Sequence, residues 1–248
     1  MIIAETMPLI GLVVLRLSPV LLSVGMGPMQ RIPMMVRLVL LLVFTIAVTM
    51  LIGDTSPLIE NKLVWVVVSE LLIGICIFFT FQLIFAALSF WGRVVDMQIG
   101  FGAAGIFDPS VNTQESITGS IYILAGTALF FILGIHIDLI QILLKSYEAI
   151  PLGTGLFYIP PLQLAALMTS IFSVALLIFA PVMILLWLLD MFTGFISRTM
   201  PQMNIYFVMM PLKIGCGLFL LSVFSQQSLM LFNNIFNSLV QYWSALLY

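Results

Sequence analysis

The sequence predicts an all-α, membrane-associated protein built from several long apolar helices, some of them kinked or broken. Three observations carry that prediction. Of the 248 residues, 62% are hydrophobic and only 7% are charged. A soluble domain carries about 25% charged residues, so this chain lacks the polar groups to cover a water-facing surface. Its apolar residues also gather into runs close to the roughly 20 that one helix needs to cross a bilayer core. Finally, these runs contain prolines and isolated charges, which a plain bundle of lipid-facing helices would exclude. The formal net charge is −2, with eight scattered Lys and Arg. That balance argues against a nucleic-acid partner and against a polybasic lipid-binding surface.

The first apolar segment covers about residues 7–24 and is interrupted by Arg16 and Pro19. Glu5 and the absence of a basic start argue against a cleavable signal peptide, so the segment is expected to remain on the protein. A second segment, 38–53, follows the short loop "GMGPMQRIPMMVR". A third begins near residue 63, passes Glu70 and runs without charge over 71–92, with Arg93 and Asp96 beyond it. The fourth, about 117–144, is interrupted by His136 and Asp138. The fifth, about 162–189, follows the turn "PLGTGLFYIPP", contains Pro181 and ends at Asp190. The last, 214–248, follows Lys213 and has no charged residue; its "SQQS" and "NNIFN" either divide it into two helices or line one polar face.

A charge at the bilayer centre costs at least about 2.5–3.5 kcal/mol. Arg16, Glu70, Asp138 and Asp190 are therefore expected to face protein, a wet cavity or the interface. Pro19, Pro181 and Pro211 each remove a helix hydrogen bond and are expected to kink their segments. Much of the surface should be buried against partners.

One stretch breaks the pattern: "GFGAAGIFDPSVNTQES", residues 100–116. Its glycines and its Asp108-Pro109 step will not continue a helix, and its backbone amides need partners that hydrocarbon cannot supply. It must lie in water or line a wet cavity, as an exposed loop or as a gate, filter or binding loop.

No catalytic, cofactor or metal constellation is expected. Asp138 and Asp190 lack the G-x-G-D setting of an intramembrane aspartyl protease, and a single histidine rules out HExxH. His136 and Asp138, two apart, point to different sides of a helix. Asp138 aligns instead with Gln141 and Lys145 as one polar stripe, read as structural ion pairing. Cys76 and Cys216 are read as unrelated buried thiols. The methionine clusters at 26–35 and 200–210 suit uneven subunit contacts.

Ordered blocks along the chain resemble the FliR/SctT family of type III secretion export-gate subunits. They are "ELLIG" (70–74), "DMQIGFGAAGIFDP" (96–109), "SYEAIPLG" (146–153), "FAPVMILLWLLDMFTGFISRTMPQMN" (179–204) and "MPLKIGCGLFLL" (210–221). The family's FDP step after glycines, its S-x-x-x-x-P-L-G and its R-x-x-P-Q-x-N are all matched. The resemblance implies one export-gate domain over 1–248, with about 1–118 and 119–248 as sub-halves akin to FliP-like and FliQ-like parts. It implies helical hairpins stacked in a pore assembly with FliP-like and FliQ-like subunits, beside FlhB-like and FlhA-like components. Unfolded substrates would cross the bacterial inner membrane through that pore. The FDP step and the S-x-x-x-x-P-L-G favour the flagellar branch over the injectisome branch.

The resemblance further implies that residues about 100–118 form a channel plug. Gly100, Gly102 and Gly105 would give it mobility, Phe101, Ile106 and Phe107 the apolar seal, and Asp108-Pro109 the turn at its tip. Arg16, Glu70, Arg93, Asp96, Asp138, Lys145, Asp190, Arg198, Pro201, Asn204 and Lys213 are expected as structural or interface groups, with Arg198 capping carbonyls freed beside Pro201. The other reading is a secondary transporter, but the chain shows no convincing internal repeat of its interrupted segments.

Overall fold

The computed structural model describes residues 2–23, 25, 27–52, 63–101, 116–154, 160–200, 202 and 205–247, with side chains from residue 7 onward and excepting 206. Among these residues the structure is helical, with no strand. In chain order come α1 (Ile2–Leu22), a single 3-10 turn (Pro28–Arg31), α2 (Met34–Ile52), α3 (Leu63–Ile99), α4 (Ile117–Ile132), α5 (Ile135–Ala149), α6 (Pro161–Thr199) and α7 (Ile205–Leu247).

The helices run further than the apolar pattern predicts. Arg16 and Pro19 do not break α1, which passes through both. Pro19 deprives the Leu15 carbonyl of its backbone donor, and the Ser18 hydroxyl supplies one instead at 3.1 Å. Pro181 and Pro211 likewise lie inside the uninterrupted helices α6 and α7. The "SQQS" and "NNIFN" stretches do not divide α7, whose 43 residues form one helix. At 1.5 Å per residue α7 is about 65 Å long, and α3 and α6 are nearly as long, against a hydrocarbon core of about 30 Å.

The fourth apolar segment does break, but not where its polar residues sit. The chain turns by 69° between α4 and α5, at Gly134, whose φ of 76° lies in the left-handed region that glycine enters without steric cost. His136 and Asp138 fall inside the first turn of α5, whose start is fixed by Ile137 N–H donating to the Gly134 carbonyl at 2.8 Å.

The chain divides into two compact units, each assembled from separated segments. The first joins residues 1–83, 130–168 and 236–248. Its core contains Val13, Leu17, Ile73, Ile77, Phe236 and Trp243, all fully buried, and the Trp243 indole N–H donates to Thr80 Oγ1 at 2.9 Å. The second joins residues 84–129 and 169–235. There Leu88, Ile99, Ile171, Phe179 and Phe232 are buried, with the Tyr122 ring 4.5 Å from that of Phe179.

Among the described residues four helices are long and apolar enough to cross a membrane, or five spans if α4 and α5 count as one. Within its most apolar window α3 is 56% buried, whereas α7 is only 6% buried. Over that stretch α3 is the more buried, while α7 exposes large apolar side chains along its length, among them Phe207, Phe219 and Met230, and buries Phe232, Phe236 and Trp243 toward its C-terminal end. Water cannot cover so much apolar surface, so lipid or other apolar chains must. Cys76 and Cys216 carry free thiols and are half-buried rather than buried.

Candidate functional site

Three polar centres are built into these apolar helices. In the first unit, Arg16 on α1 is fully buried beside Glu70 on α3, with its Nε donating to Glu70 Oε2 at 2.6 Å. The rest of the guanidinium fork addresses the C-terminal end of α5. Nη1 donates to the Ser146 carbonyl at 2.7 Å, and Nη2 to the Ile150 carbonyl at 3.0 Å. The Tyr147 ring lies 4.4 Å from the guanidinium carbon, and its hydroxyl donates to the Val13 carbonyl. Glu70 Oε1 accepts from the Gly153 N–H at 3.3 Å. Arginine suits this place because its planar fork serves a carboxylate and two carbonyls at once, the Ser146 carbonyl already accepting from the Ile150 N–H and the Ile150 carbonyl lying past the helix end. A Cβ at Gly74 would collide with the Arg16 backbone carbonyl, so glycine there lets α1 lie close against α3. The "ELLIG" and "SYEAIPLG" blocks, distant in sequence, thus meet around one buried cation.

The second centre closes the α3–α4 junction in the second unit. Asp96, on the last turn of α3, is buried and accepts from Ser116 Oγ at 2.7 Å, from Thr118 Oγ1 and from the Thr118 N–H at 3.2 Å. Ser116 also caps α4, its Oγ accepting from the Gly119 N–H at 2.7 Å. Its hydroxyl therefore both receives the third amide of the helix and donates to the carboxylate, the usual N-cap chemistry with an added anion at the positive helix end. At the other side, the Gly100 N–H donates to the Asp96 carbonyl at 3.1 Å, and Gly100 has φ 99°. Behind this junction Gly92 lies so close to Gly119 that a Cβ on it would overlap the Gly119 backbone. The residues that bracket the glycine-rich stretch are tied together through a single aspartate.

The third centre, also in the second unit, pairs Lys213 on α7 with Asp190 on α6. Both line a cavity of about 290 Å³, together with Gln98 and Gly100 from the end of α3, Met209 and Met210. Gly217 of α7 abuts the buried side chain of Ile99, which fixes the crossing of α7 on α3.

Other sequence-predicted positions lie outside these centres. Arg93 is exposed on α3, and Asp138 and Lys145 are partly exposed on α5. Arg198 is exposed in the last turn of α6, where its guanidinium makes no hydrogen bond among the described residues. Phe101 is partly exposed beside Gly100. Gly102, Gly105, Ile106, Phe107, Asp108, Pro109, Pro201 and Asn204 lie outside the described residues.

Sequence reasoning missed Ser116, Thr118 and Gly92, although a serine followed by Ile-Thr-Gly and an apolar run carries an N-cap signature. It also missed Arg37, buried at the start of α2, which donates to the carbonyls of Met29, Ile32 and Ser23 and so holds the preceding turn. Among the described residues no cluster of His, Cys, Asp or Glu has the makings of a metal site.

The sequence profile described as "Bacterial export proteins, family 1" matches residues 7–239. The chain is 27% identical to the flagellar biosynthetic protein FliR of Escherichia coli (strain K12) over 200 residues, 78% of this chain and 75% of that protein. It is 25% identical to FliR of Bacillus subtilis (strain 168) over 247 residues, 96% of this chain and 94% of that protein. Similarity extends to the Yop proteins translocation protein T of Yersinia pestis, 29% identical over 164 residues, 64% of this chain and 62% of that protein. With a profile match running from α1 into α7 and taking in all three polar centres, the chain belongs to the bacterial export proteins of family 1.

Proposed function

We propose that this chain is a core channel subunit of a type III protein export gate, of the flagellar kind, in the bacterial inner membrane. The observation that carries the reading is the surface of α7. This helix is about twice as long as a bilayer core requires, and its most apolar 18-residue stretch is only 6% buried within its own chain, although its C-terminal part packs Phe232, Phe236 and Trp243 inward. Such a helix needs neighbouring apolar subunits as well as lipid. FliP-like and FliQ-like subunits are the proposed neighbours, with FlhB-like and FlhA-like components beside them and unfolded export substrates as the cargo. The role is passage rather than catalysis. The flagellar branch is favoured by the FDP step after the glycines and by the S-x-x-x-x-P-L-G block.

Within this reading, residues about 100–118 form the plug, as a stretch within one export-gate domain whose sub-halves meet near residue 118. The Asp96 junction supports that role. A stretch whose bracketing residues are fixed to one buried carboxylate can change conformation without loosening the helices that carry it.

Co-purification tests the assembly. A tagged copy of this chain should come out of detergent with several copies of two other small apolar proteins, and expressed alone it should aggregate. A long-lived, monodisperse monomer or homo-oligomer would point to a permease instead. Deleting residues 103–113 should leave the complex assembled but leaky to ions, with slowed growth. An assembled, tight deletion that exports normally would reduce the stretch to a surface loop.

A further inference from the structure

The cavity beside the Asp190–Lys213 pair contains an imbalance of hydrogen bonding. Gln98, two residues before Gly100 on the last turn of α3, lines the cavity, and its Oε1 is buried without a hydrogen-bond partner among the described residues. A buried acceptor left unmatched costs about 1–3 kcal/mol. Lys213 lines the same cavity with three N–H donors on a flexible four-carbon stem. In the structure it pairs with Asp190, which lines the cavity from α6. Two acceptors on two different helices thus compete for one cation. The cavity, about 290 Å³, leaves room for the side chain to swing, and the thioethers of Met97, Met209 and Met210 give it deformable walls. Gly217 packed on Ile99 keeps α7 against this turn of α3, so Lys213 stays within the same cavity as Gln98.

We propose that Lys213 is an exchangeable catch, paired with Asp190 in the resting state and transferring to Gln98 Oε1 when the end of α3 shifts at Gly100 to open the path. Lys213, Asp190 and Gln98 are positioning residues that touch no substrate. The inference rests on the export-gate reading and adds to it the element that sets the balance between closed and open. Each acceptor stabilises one state, so removing either must shift the population toward the other.

The test uses cells that carry the variant chain in place of the wild type, compared at equal amounts of assembled complex. Asp190→Asn weakens the resting partner, and the passive proton leak of inverted inner-membrane vesicles should rise by roughly fivefold or more. Gln98→Leu removes the second acceptor, and export of a flagellar substrate should fall by roughly fivefold or more with no added leak. In the double variant the leak should return toward the wild-type level. If both single variants move leak and export in the same direction, or leave both unchanged, the catch is overturned and the pair only ties α6 to α7. Undiminished export after removal of the whole chain would instead sink the export-gate reading.

Discussion

Glu70→Ala is expected to be among the most damaging single substitutions in this chain, costing about 3–5 kcal/mol by leaving the fully buried Arg16 cation without its counter-charge. Arg16→Lys should be nearly as harmful, because an ammonium cannot reach Glu70, the Ser146 carbonyl and the Ile150 carbonyl together as the planar fork does. Glu70→Gln should be milder than Glu70→Ala, since its one amide oxygen still accepts from either Arg16 Nε or the Gly153 N–H, but it loses the charge and turns an NH2 group toward the other donor. Removing both charges at once, as Arg16→Met with Glu70→Leu, should cost less than the two single losses added together. The Ser146 carbonyl still accepts from the Ile150 N–H, so only the Ile150 carbonyl and the Gly153 N–H lose partners. The expected coupling is about 1–3 kcal/mol. The yield and thermal midpoint of the detergent-solubilised assembly measure it, and strict additivity would mean that the pair does not act as a unit.

This centre shows what the sequence discloses and what it withholds. An arginine and a glutamate inside apolar runs announce that each needs a partner, because hydrocarbon tolerates neither. Nothing in their positions says that they partner each other, 54 residues apart, or that the α5 terminus completes the shell. The all-helical class and the apolar spans follow from composition and run length. The helix ends do not, because apolar character stops short of where backbone hydrogen bonding stops: α3 continues through Arg93 and Asp96 to Ile99, and α6 through Asp190 to Thr199. The α4–α5 bend is not legible in the apolar pattern for a related reason. Polar side chains at His136 and Asp138 mark a change of surroundings, whereas the change of direction needs a residue with φ above zero, and Gly134 alone among its neighbours provides one at no cost.

At the α3–α4 junction the expected effect is on permeability rather than on folding. Asp96→Asn keeps the size of the side chain but replaces one accepting oxygen with an NH2 group. Ser116 Oγ and Thr118 Oγ1 now donate to different oxygens of Asp96, so at least one of these hydroxyls must turn or lose its acceptor. Ser116 cannot turn away without cost, because the same oxygen already receives the Gly119 N–H. The loss should be about 1–3 kcal/mol, local to the residues that bracket the glycine-rich stretch. Assembly should therefore survive, while the resting proton leak of the membrane rises. Gly92→Ala attacks the same junction from behind, by forcing the Gly119 backbone away from α3, and no rotamer relieves it because the added atom meets main chain. It should produce a stronger leak and a lower yield of complex. The two variants share one consequence, a loosened junction, and differ in whether the helices themselves are pushed apart. A tight, normally exporting Asp96→Asn complex alongside a leaky Gly92→Ala complex would show that helix separation alone governs the seal and that the carboxylate is only a cap for α4.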